Sequence, residues 1–455
     1  MNLTIYPSSS LQGVIRSQGA GSLPGDKSLS HRAAILAALA EGESVVDNFQ
    51  VSGVTRAMLE ALTILGIRWE LIGQRLTVQG KGWHGFQAPD RPIDCGNSAT
   101  TIRLLAGALA ASGIPAILDG SPGLRRRPME RIVTPLKQMG VDIQSENGCA
   151  PLILGRSALP LKPLDHTLPV ASAQVKTCLL LAALAADGVT TLREPGPSRD
   201  HTERMLRAQG VEIESALWQK QESRDVDREI YRTTLKPPPA SSSLQPLRIH
   251  LPGDPSAAAF LIVAALITPG SRLVIDGVLL NPTRTGLLRA LRAMGAQLEW
   301  EVTGESAGEP VGNIRVEYSS LNPTQVTGSL VVRMIDEFPV FAIAAACSRG
   351  KTVVKDAVEL RAKESDRISA LAGELRKLGV QIVETPDGFE VDGGGRIDGG
   401  TANSCGDHRL AMALAVAGLA ADAPVVVQDS QVIAESFPSF TTILRRLGGN
   451  LEIDP

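Results

Sequence analysis

The chain has 455 residues, of which 43% are hydrophobic, 20% charged and 3% aromatic, and its formal net charge is -3. This length exceeds the size at which one hydrophobic core stops growing, so we expect at least two domains. The small negative charge and the scarcity of aromatic side chains argue against a nucleic-acid partner, because such proteins rely on basic surfaces and stacking platforms.

Three features of the sequence indicate the cellular compartment: the first residues, the apolar runs and the cysteines. Residues 1–7 have neither a basic segment nor an apolar one, so no secretory signal is predicted. The longest uncharged apolar stretch, 257–267, is far shorter than the ~18 residues of a membrane helix. The five cysteines are scattered without a Cys-x-x-Cys pair, which is typical of reduced thiols. We expect a cytoplasmic protein without membrane contact.

Six helices of a buried type recur along the chain, each followed by a short β-strand. Each has a small or polar start and an Ala- and Leu-rich run that is apolar nearly all round, which indicates an interior position. The predicted spans are 28–42, 97–113, 172–188, 255–270, 336–350 and 407–422. Their closing residues are 71 to 82 positions apart. The spacing indicates a repeated structural unit.

A second, amphipathic helix is interleaved with the first and ends in Gly, followed by another strand. It is predicted at 58–66, 132–140, 203–210, 287–295, 371–379 and 443–448. Gly suits these positions because the residue after a helix often adopts a left-handed conformation. The following strands alternate polar and apolar residues, as at 141–143, so one face of each is buried.

Alternating strands and helices predict an α/β fold built from six repeats. Repeats that cannot bury their own apolar faces associate, and three per lobe gives two lobes of ~220 residues. Residues 215–250 are polar and include a Pro- and Ser-rich stretch at 236–243. We expect the third repeat to end before this segment and the fourth to begin after it.

Three short motifs resemble known binding or catalytic motifs but lack the flanking structure or spacing that these require. Residues 80–85 fit a dinucleotide-binding fingerprint and 304–308 fit a nucleophile elbow, but neither opens a helix. Residues 25–28 resemble part of a P-loop with the wrong spacing. The six histidines show no metal-ligand spacing, so we expect no metal site.

Polar and ionised side chains stand at the starts of the buried helices. They are Lys27, Ser28 and Arg32; Asn97 and Thr100; Ser172, Gln174 and Lys176; Asp336 and Glu337; and Asp407, His408 and Arg409. Further charge clusters occupy 125–127, 198–200 and 363–367. Helix amino termini favour anions, and Arg forms paired bonds to phosphate or carboxylate. Any one of these residues could be an ordinary cap or a solvated charge, but their recurrence favours a site for anionic ligands.

Two carboxylates, Asp336 and Glu364, have cationic neighbours and suit a proton donor and acceptor. Lys363 and Arg367 would lower the pKa of Glu364, whereas burial would raise it. The sequence does not decide whether the pKa of Glu364 is raised or lowered.

Eight motifs together resemble the 5-enolpyruvylshikimate-3-phosphate (EPSP) synthase family across nearly the whole chain. They are LPGDKSLSHR at 23–32, GNSAT at 96–100, RPM at 127–129, SAQ at 172–174, RDHT at 199–202, IDE at 335–337, KESDR at 363–367 and DHR at 407–409. The resemblance implies the two-lobed enolpyruvyl transferase fold with three βαβαββ repeats per lobe. One lobe would comprise residues 21–247, and the other residues 1–20 together with 248–455.

The resemblance also implies the reaction, which transfers the enolpyruvyl group of phosphoenolpyruvate to the 5-hydroxyl of shikimate 3-phosphate and releases phosphate in a closed interlobe cleft. The implied shikimate 3-phosphate ligands are Lys27, Ser28, Arg32, Ser172, Ala173, Gln174, Arg199, Asp336 and Lys363. Those for phosphoenolpyruvate are Lys27, Asn97, Ala99, Arg127, Gln174, Arg367 and Arg409. Asp336, Glu364 and Lys27 would be catalytic, with Asp336 handling the hydroxyl proton and Glu364 the methylene proton. We expect a monomer that needs no metal or organic cofactor.

The chain departs from the family pattern at two positions. Ala99 stands where many members have Gly. An Ala here is similar to a subgroup of the family that tolerates the inhibitor glyphosate, so we expect weak inhibition by glyphosate. Glu435 precedes Ser436 where many members have Lys, so this position is given no phosphate-binding role.

Three other functions fit the sequence less well. The related transferase acting on a UDP-linked amino sugar uses a Cys just before the Arg that matches Arg127, and residues 96–148 contain none. A non-catalytic phosphate-binding protein would not need Asp336 and Glu364. An RNA-end-processing enzyme of related fold is disfavoured by the charge and the few aromatic residues.

Overall fold

The computed structural model describes residues 1–16, 22–222, 227–239, 242–394 and 396–454. The chain divides into two compact units. The N-terminal unit comprises Gly25–Leu251 and Glu305–Glu309. The C-terminal unit comprises Met1–Pro24, Pro252–Gly304 and Pro310–Pro455. The predicted lobe boundary between residues 20 and 21 lies outside the described residues.

Apart from the five-residue helix α9, the helices of the described residues alternate between buried and amphipathic types. They are α1 (Lys27–Leu39), α2 (Gly53–Ile64), α3 (Ala99–Ser112), α4 (Glu130–Gln138), α5 (Ala173–Ala183), α6 (His201–Ala208), α7 (Pro255–Ile267), α8 (Gly286–Ala293), α9 (Ser329–Arg333), α10 (Phe338–Ala346), α11 (Arg367–Lys377), α12 (His408–Leu419) and α13 (Phe440–Arg446).

The strands are short except for two hairpins. They are β1 (Asn2–Ile5), β2 (Gln12–Ile15), β3 (Glu41–Asp47), β4 (Arg68–Ile72), β5 (Arg75–Lys81), β6 (Ile93–Asp94), β7 (Ala116–Asp119), β8 (Ile143–Glu146), β9 (Cys149–Leu154), β10 (Asp165–Thr167), β11 (Thr190–Pro195), β12 (Glu212–Glu222), β13 (Asp227–Lys236), β14 (Arg248–His250), β15 (Arg272–Leu279), β16 (Leu298–Ser306), β17 (Glu309–Glu317), β18 (Gln325–Val326), β19 (Arg349–Val354), β20 (Gln381–Thr385), β21 (Gly388–Gly394), β22 (Gly400–Asn403), β23 (Val425–Gln428) and β24 (Leu451–Asp454).

Across the described residues the strands form six four-stranded sheets of closely similar design. The N-terminal unit holds β14-β3-β5-β4, β6-β7-β9-β8 and β10-β11-β13-β12, and the C-terminal unit holds β16-β17-β15-β2, β18-β19-β21-β20 and β22-β23-β1-β24. Each sheet contains one parallel pair, such as β6 with β7, alongside antiparallel neighbours. The six predicted α/β repeats are therefore confirmed.

The buried-type helices lie in the interiors of the units, as their apolar surfaces require. Residues 29–39 of α1 are all buried, and so are residues 408–419 of α12. Gly107 of α3 permits a close approach to α5, because an added Cβ would lie 2.3 Å from the carbonyl oxygen of Cys178. These helices are rigid supports for the side chains at their amino ends.

The prediction that the third repeat ends before the polar segment 215–250 was wrong. Strands β12 and β13 form an antiparallel hairpin through it, within the sheet of the third repeat. Ile213, Thr233 and Leu235 are buried in this hairpin, while Glu214 and Lys236 are exposed. One buried face is enough to hold a strand in a sheet, although the overall composition is polar.

All five cysteines are free thiols, as expected. Within the described part of the chain, no helix has the length and apolar character needed to cross a membrane.

Candidate active site

The first predicted anion-binding segment lies at the start of α1. Asp26 caps this helix by accepting the amide of Leu29 at 2.8 Å. Lys27 and Ser28 follow in the first turn and are half-buried. Arg199, which comes just before α6, donates from Nη1 to the hydroxyl of Ser28 at 3.0 Å. The structure thus brings the start of α1 into contact with the segment just before α6.

Arg32 lies one turn further along α1 and is only 2% exposed. Its Nε donates to Thr202 Oγ1 and its Nη2 to Thr177 Oγ1, both at 2.8 Å. Nη1 donates to the carbonyl of Ser28 at 3.0 Å, and Nη2 lies 3.4 Å from the carbonyl of Ala173. Burial lowers the pKa of Arg32 to about 10, which leaves it charged at neutral pH. Arg32 therefore joins α1, α5 and α6, a role that the sequence motif did not reveal.

Gln174, in the first turn of α5, is held by two residues of α3. Its Nε2 donates to Thr100 Oγ1 at 2.9 Å, and its Oε1 accepts from Arg103 Nη1. Arg103 Nη2 also donates to the carbonyl of Pro128 at 2.8 Å. Arg103 links Gln174 to the backbone directly after Arg127, and the sequence analysis missed it. Its position four residues after Ala99 on the same helix face was the available signal.

The segment at 96–100 forms a capped helix start. Ser98 caps α3 by accepting the amide of Thr101 at 3.1 Å. Asn97 is half-buried, and its Oδ1 accepts from Ser121 Oγ at 3.1 Å. Ala99 is the first residue of α3 and is 5% exposed. Ala99 is therefore buried at the start of this helix.

The arginine cluster at 125–127 separates into different environments. Arg125 is exposed and donates from Nε to Asp119 Oδ1 at 2.9 Å, and this bond lowers the pKa of Asp119. Arg127 is 9% exposed and follows a short 3₁₀ turn, Leu124–Arg126. Of Arg125 and Arg127, only Arg127 has the enclosed position expected of a ligand-binding cation.

Lys176 does not serve the anion-binding role that its place near a helix start suggested. Its ammonium lies 2.6 Å from Glu194 Oε1 and 2.8 Å from Glu203 Oε1, and the three side chains are 1–4% exposed. A buried ammonium needs such partners because it has lost its hydration. The sequence placed Lys176 correctly on the helix but could not show that it points into the protein.

In the C-terminal unit, Arg367 opens α11 and contacts three carboxylates. Its Nε donates to Asp407 Oδ2 at 2.7 Å and its Nη2 to Glu364 Oε2 at 2.6 Å. Its Nη1 lies 3.4 Å from Asp336 Oδ1. Burial alone would lower the pKa of Arg367, but the carboxylates outweigh it and raise that pKa above its ordinary value. Both predicted proton-transfer carboxylates thus lie beside one permanent positive charge.

Arg409 supports Asp336 from a second direction. Its Nη1 donates to the carbonyl of Asp336 at 3.3 Å, and its Nη2 lies 3.7 Å from Asp336 Oδ2. Asp407 caps α12 and accepts the amide of Arg409 at 2.9 Å. Burial would raise the pKa of Asp407, but Arg367 holds it below the ordinary value. Lys363 is half-buried.

Glu435 lies near the α12 start. Its Oε2 is 3.9 Å from Nδ1 of His408, whose side chain is 4% exposed. A carboxylate at this point opposes an anionic ligand, which agrees with giving Glu435 no phosphate-binding role.

Asp200, His201 and Glu309 bring their potential ligand atoms within 4.8 Å of one another. Nδ1 of His201 is 2.7 Å from Glu309 Oε1. The guanidinium of Arg204 donates to Asp200 Oδ2 at 2.9 Å and lies 3.9 Å from Glu309 Oε2. Because Arg204 already supplies a positive charge to both carboxylates, the group has the character of an ion-pair network rather than of a metal site.

The chain is similar in sequence to known proteins over nearly its whole length. Residues 9–444 match the sequence profile of the family described as EPSP synthase (3-phosphoshikimate 1-carboxyvinyltransferase). A 3-phosphoshikimate 1-carboxyvinyltransferase of Citrifermentans bemidjiense is 44% identical over 443 residues, covering 97% of this chain and 98% of the relative. One from Xanthomonas euvesicatoria is 46% identical over 437 residues, covering 96% and 95%.

Two solved structures are similar in fold to this chain over nearly its whole length. The EPSP synthase from Acinetobacter baumannii superposes with a TM-score of 0.83 at 38% identity, with all of both chains covered. The enolpyruvyl transferase NikO from Streptomyces tendae superposes with a TM-score of 0.76 at 20% identity, over 99% of this chain and 98% of that one, and supports the fold alone.

Proposed function

The chain belongs to the EPSP synthase family, and from this membership we propose that it transfers the enolpyruvyl group of phosphoenolpyruvate to the 5-hydroxyl of shikimate 3-phosphate. The one structural observation that supports the assignment most is Arg367, which holds Glu364 at 2.6 Å and lies 3.4 Å from Asp336. A non-catalytic anion-binding protein has no need to direct two carboxylates onto one arginine.

Shikimate 3-phosphate is assigned mainly to the N-terminal unit. We propose that its phosphate and carboxylate bind Lys27, Ser28, Arg32, Ser172, Ala173, Gln174 and Arg199, with Asp336 and Lys363 as further ligands from the C-terminal unit. Helix starts at α1 and α5 and the guanidinium of Arg199 offer the donors that such anions require.

Phosphoenolpyruvate is assigned to Lys27, Asn97, Ala99, Arg127, Gln174, Arg367 and Arg409. The bonds from Arg103 to Gln174 and to the carbonyl of Pro128 support this grouping within the N-terminal unit. Cations around the phosphate lower the energy of the charge that develops as phosphate departs.

The proposed chemistry is addition followed by elimination. The 5-hydroxyl oxygen of shikimate 3-phosphate bonds to C2 of phosphoenolpyruvate as its proton passes to Asp336, while C3 takes a proton from Glu364. In the second step the bond from C2 to the phosphate oxygen breaks, and Glu364 recovers a proton from the C3 methyl group. The proton held by Asp336 passes to the departing phosphate, which leaves as inorganic phosphate, and both carboxyl groups return to their starting states. Lys27 stabilises the departing phosphate. No metal or organic cofactor takes part in this scheme.

Phosphate release tests the assignment. Wild-type protein mixed with both substrates should release phosphate, and Asp336→Ala should be slower by about 10²- to 10⁴-fold, the usual contribution of a positioned acid or base. Exposed Asp392→Ala is the matched control. A folded wild type that releases no phosphate from fresh substrates would overturn the assignment.

We further propose that the protein acts as a cytoplasmic monomer without a nucleic-acid partner. The five free thiols are consistent with a reducing compartment. Size-exclusion chromatography with light scattering gives the mass in solution, and a species of twice the chain mass would contradict the monomer.

A further inference from the structure

A buried layer of charge lies beneath the helix starts of the N-terminal unit. Lys176 of α5 contacts Glu194 of β11 and Glu203 of α6 at 2.6 and 2.8 Å. Arg32 of α1 lies in the same region, and the negative charge of Glu203 acts on it. The layer therefore holds two cations and two carboxylates, all enclosed by protein.

The cations of this layer differ in how they are bonded. Lys176 is paired directly with carboxylates, whereas the hydrogen bonds of Arg32 go to hydroxyl and carbonyl oxygens, including Thr202 Oγ1 and Thr177 Oγ1. The two threonine hydroxyls also lie 2.6 Å apart, which joins α5 to α6 beside the ion pair. Two adjacent contacts, one ionic and one neutral, thus fix these helices together.

The same helices carry the residues assigned to shikimate 3-phosphate. Lys176 lies two residues after Gln174 on α5, and Glu203 lies four residues after Arg199. Arg199 in turn reaches Ser28 on α1 at 3.0 Å. A shift of α6 against α5 would therefore move Arg199 relative to the other ligands.

We propose that Glu203 and Thr202 are positioning residues for shikimate 3-phosphate: by fixing α6 to α5 and to Arg32, they keep Arg199 in place for this substrate. The inference rests on the proposed function. Neither residue is assigned to a substrate. Within the N-terminal unit, the residues assigned to phosphoenolpyruvate alone are Asn97, Ala99 and Arg127, which lie on neither α5 nor α6, whereas Lys27 and Gln174 are assigned to both substrates.

The conservative substitution separates positioning from charge. Glu203→Gln keeps the length of the side chain and an oxygen that can accept from Lys176, while Glu194 still neutralises the ammonium. Glu203→Ala removes the contact altogether and leaves α6 tied to α5 mainly through Thr202 and Thr177.

Steady-state kinetics with each substrate varied in turn test the proposal. Glu203→Ala should raise KM for shikimate 3-phosphate about tenfold, because small misplacements of a binding group weaken its ligand strongly. KM for phosphoenolpyruvate should stay within about twofold, and Glu203→Gln should restore KM for shikimate 3-phosphate to within about threefold of wild type. Glu374→Ala, at a buried glutamate of the C-terminal unit bonded to Lys377, is the matched control.

The proposal fails if Glu203→Ala leaves KM for shikimate 3-phosphate unchanged, raises both KM values equally, or is not rescued by Gln. If the Ala variant does not fold, Thr202→Val gives the same test, since it removes the acceptor of the Arg32 Nε bond while keeping the side-chain shape. An unchanged KM for shikimate 3-phosphate in that variant would also overturn the proposal. A wild type without turnover contradicts the proposed function instead, so the two failures are distinguishable.

Discussion

Arg367 Nη2 lies 2.6 Å from Oε2 of Glu364, three residues earlier in the chain, and the arginine side chain is 2% exposed against 19% for the glutamate. The bond leaves Glu364 partly accessible while fixing its direction. A carboxylate that must give and recover a proton needs this combination, because it has to reach substrate in one orientation.

Glu364→Gln should therefore abolish proton exchange at C3. We expect kcat to fall by about 10²- to 10⁴-fold, because the amide cannot take part in proton transfer. Deuterium incorporation into the methylene group of phosphoenolpyruvate in D₂O, measured by mass spectrometry, reports this step. Glu390→Gln, at a surface ion pair with Lys351, serves as control. Retention of wild-type exchange in Glu364→Gln would show that another group moves the proton.

Arg127 and Arg125 offer a matched pair within one cluster. Arg127→Gln should raise KM for phosphoenolpyruvate by about 10- to 100-fold, the effect of losing a charge-assisted hydrogen bond of roughly 1.5–3 kcal/mol. Arg125→Gln should change it less than about twofold, because the pair of Arg125 with Asp119 is exposed. Equal effects of the two substitutions would contradict the assignment of Arg127.

Ala99 should control inhibition by glyphosate. Ala99 is 5% exposed. On the proposed assignment its methyl group takes up space beside phosphoenolpyruvate, and glyphosate is slightly larger than this substrate. Ala99→Gly should tighten inhibition by about 10- to 200-fold, the range that one methylene provides in an enclosed site. Inhibition constants for wild type and variant check this, and strong inhibition of the wild type would refute it.

Lys176 should be a major contributor to stability. Lys176→Met leaves Glu194 and Glu203 buried without their cation, which should lower the free energy of unfolding by about 3–5 kcal/mol. Lys351→Met removes the lysine of an exposed pair with Glu390 and should cost less than about 1 kcal/mol. Urea denaturation followed by circular dichroism compares the two. Similar losses of unfolding free energy in both variants would mean that the buried cluster contributes no more to stability than the exposed pair.

The repeated architecture could be predicted from the sequence because its signals are local. Helices such as α1 and α12 are apolar on every side, and each is followed by strand-forming residues, so a buried helix and a small sheet follow from composition and period alone. The polar hairpin of β12 and β13 was missed because residues 214–220 of β12 are all exposed, so this stretch lacks the alternation of apolar and polar residues that predicts a strand.

The direction of individual side chains could not be predicted. Lys176 and Gln174 are two residues apart on α5, yet one points to buried glutamates and the other to Thr100 and Arg103. Such differences depend on residues far away in sequence. Motif resemblance therefore indicates which segments take part, while the contacts of each side chain depend on the packing of the helices.

The most direct test of the central claim is to follow both substrates and both products by ³¹P and ¹H NMR. With wild-type protein, phosphoenolpyruvate and shikimate 3-phosphate should disappear in equal amounts as inorganic phosphate and one new organic phosphate with vinyl protons appear. Disappearance of phosphoenolpyruvate alone, with shikimate 3-phosphate unchanged, would show hydrolysis and contradict enolpyruvyl transfer.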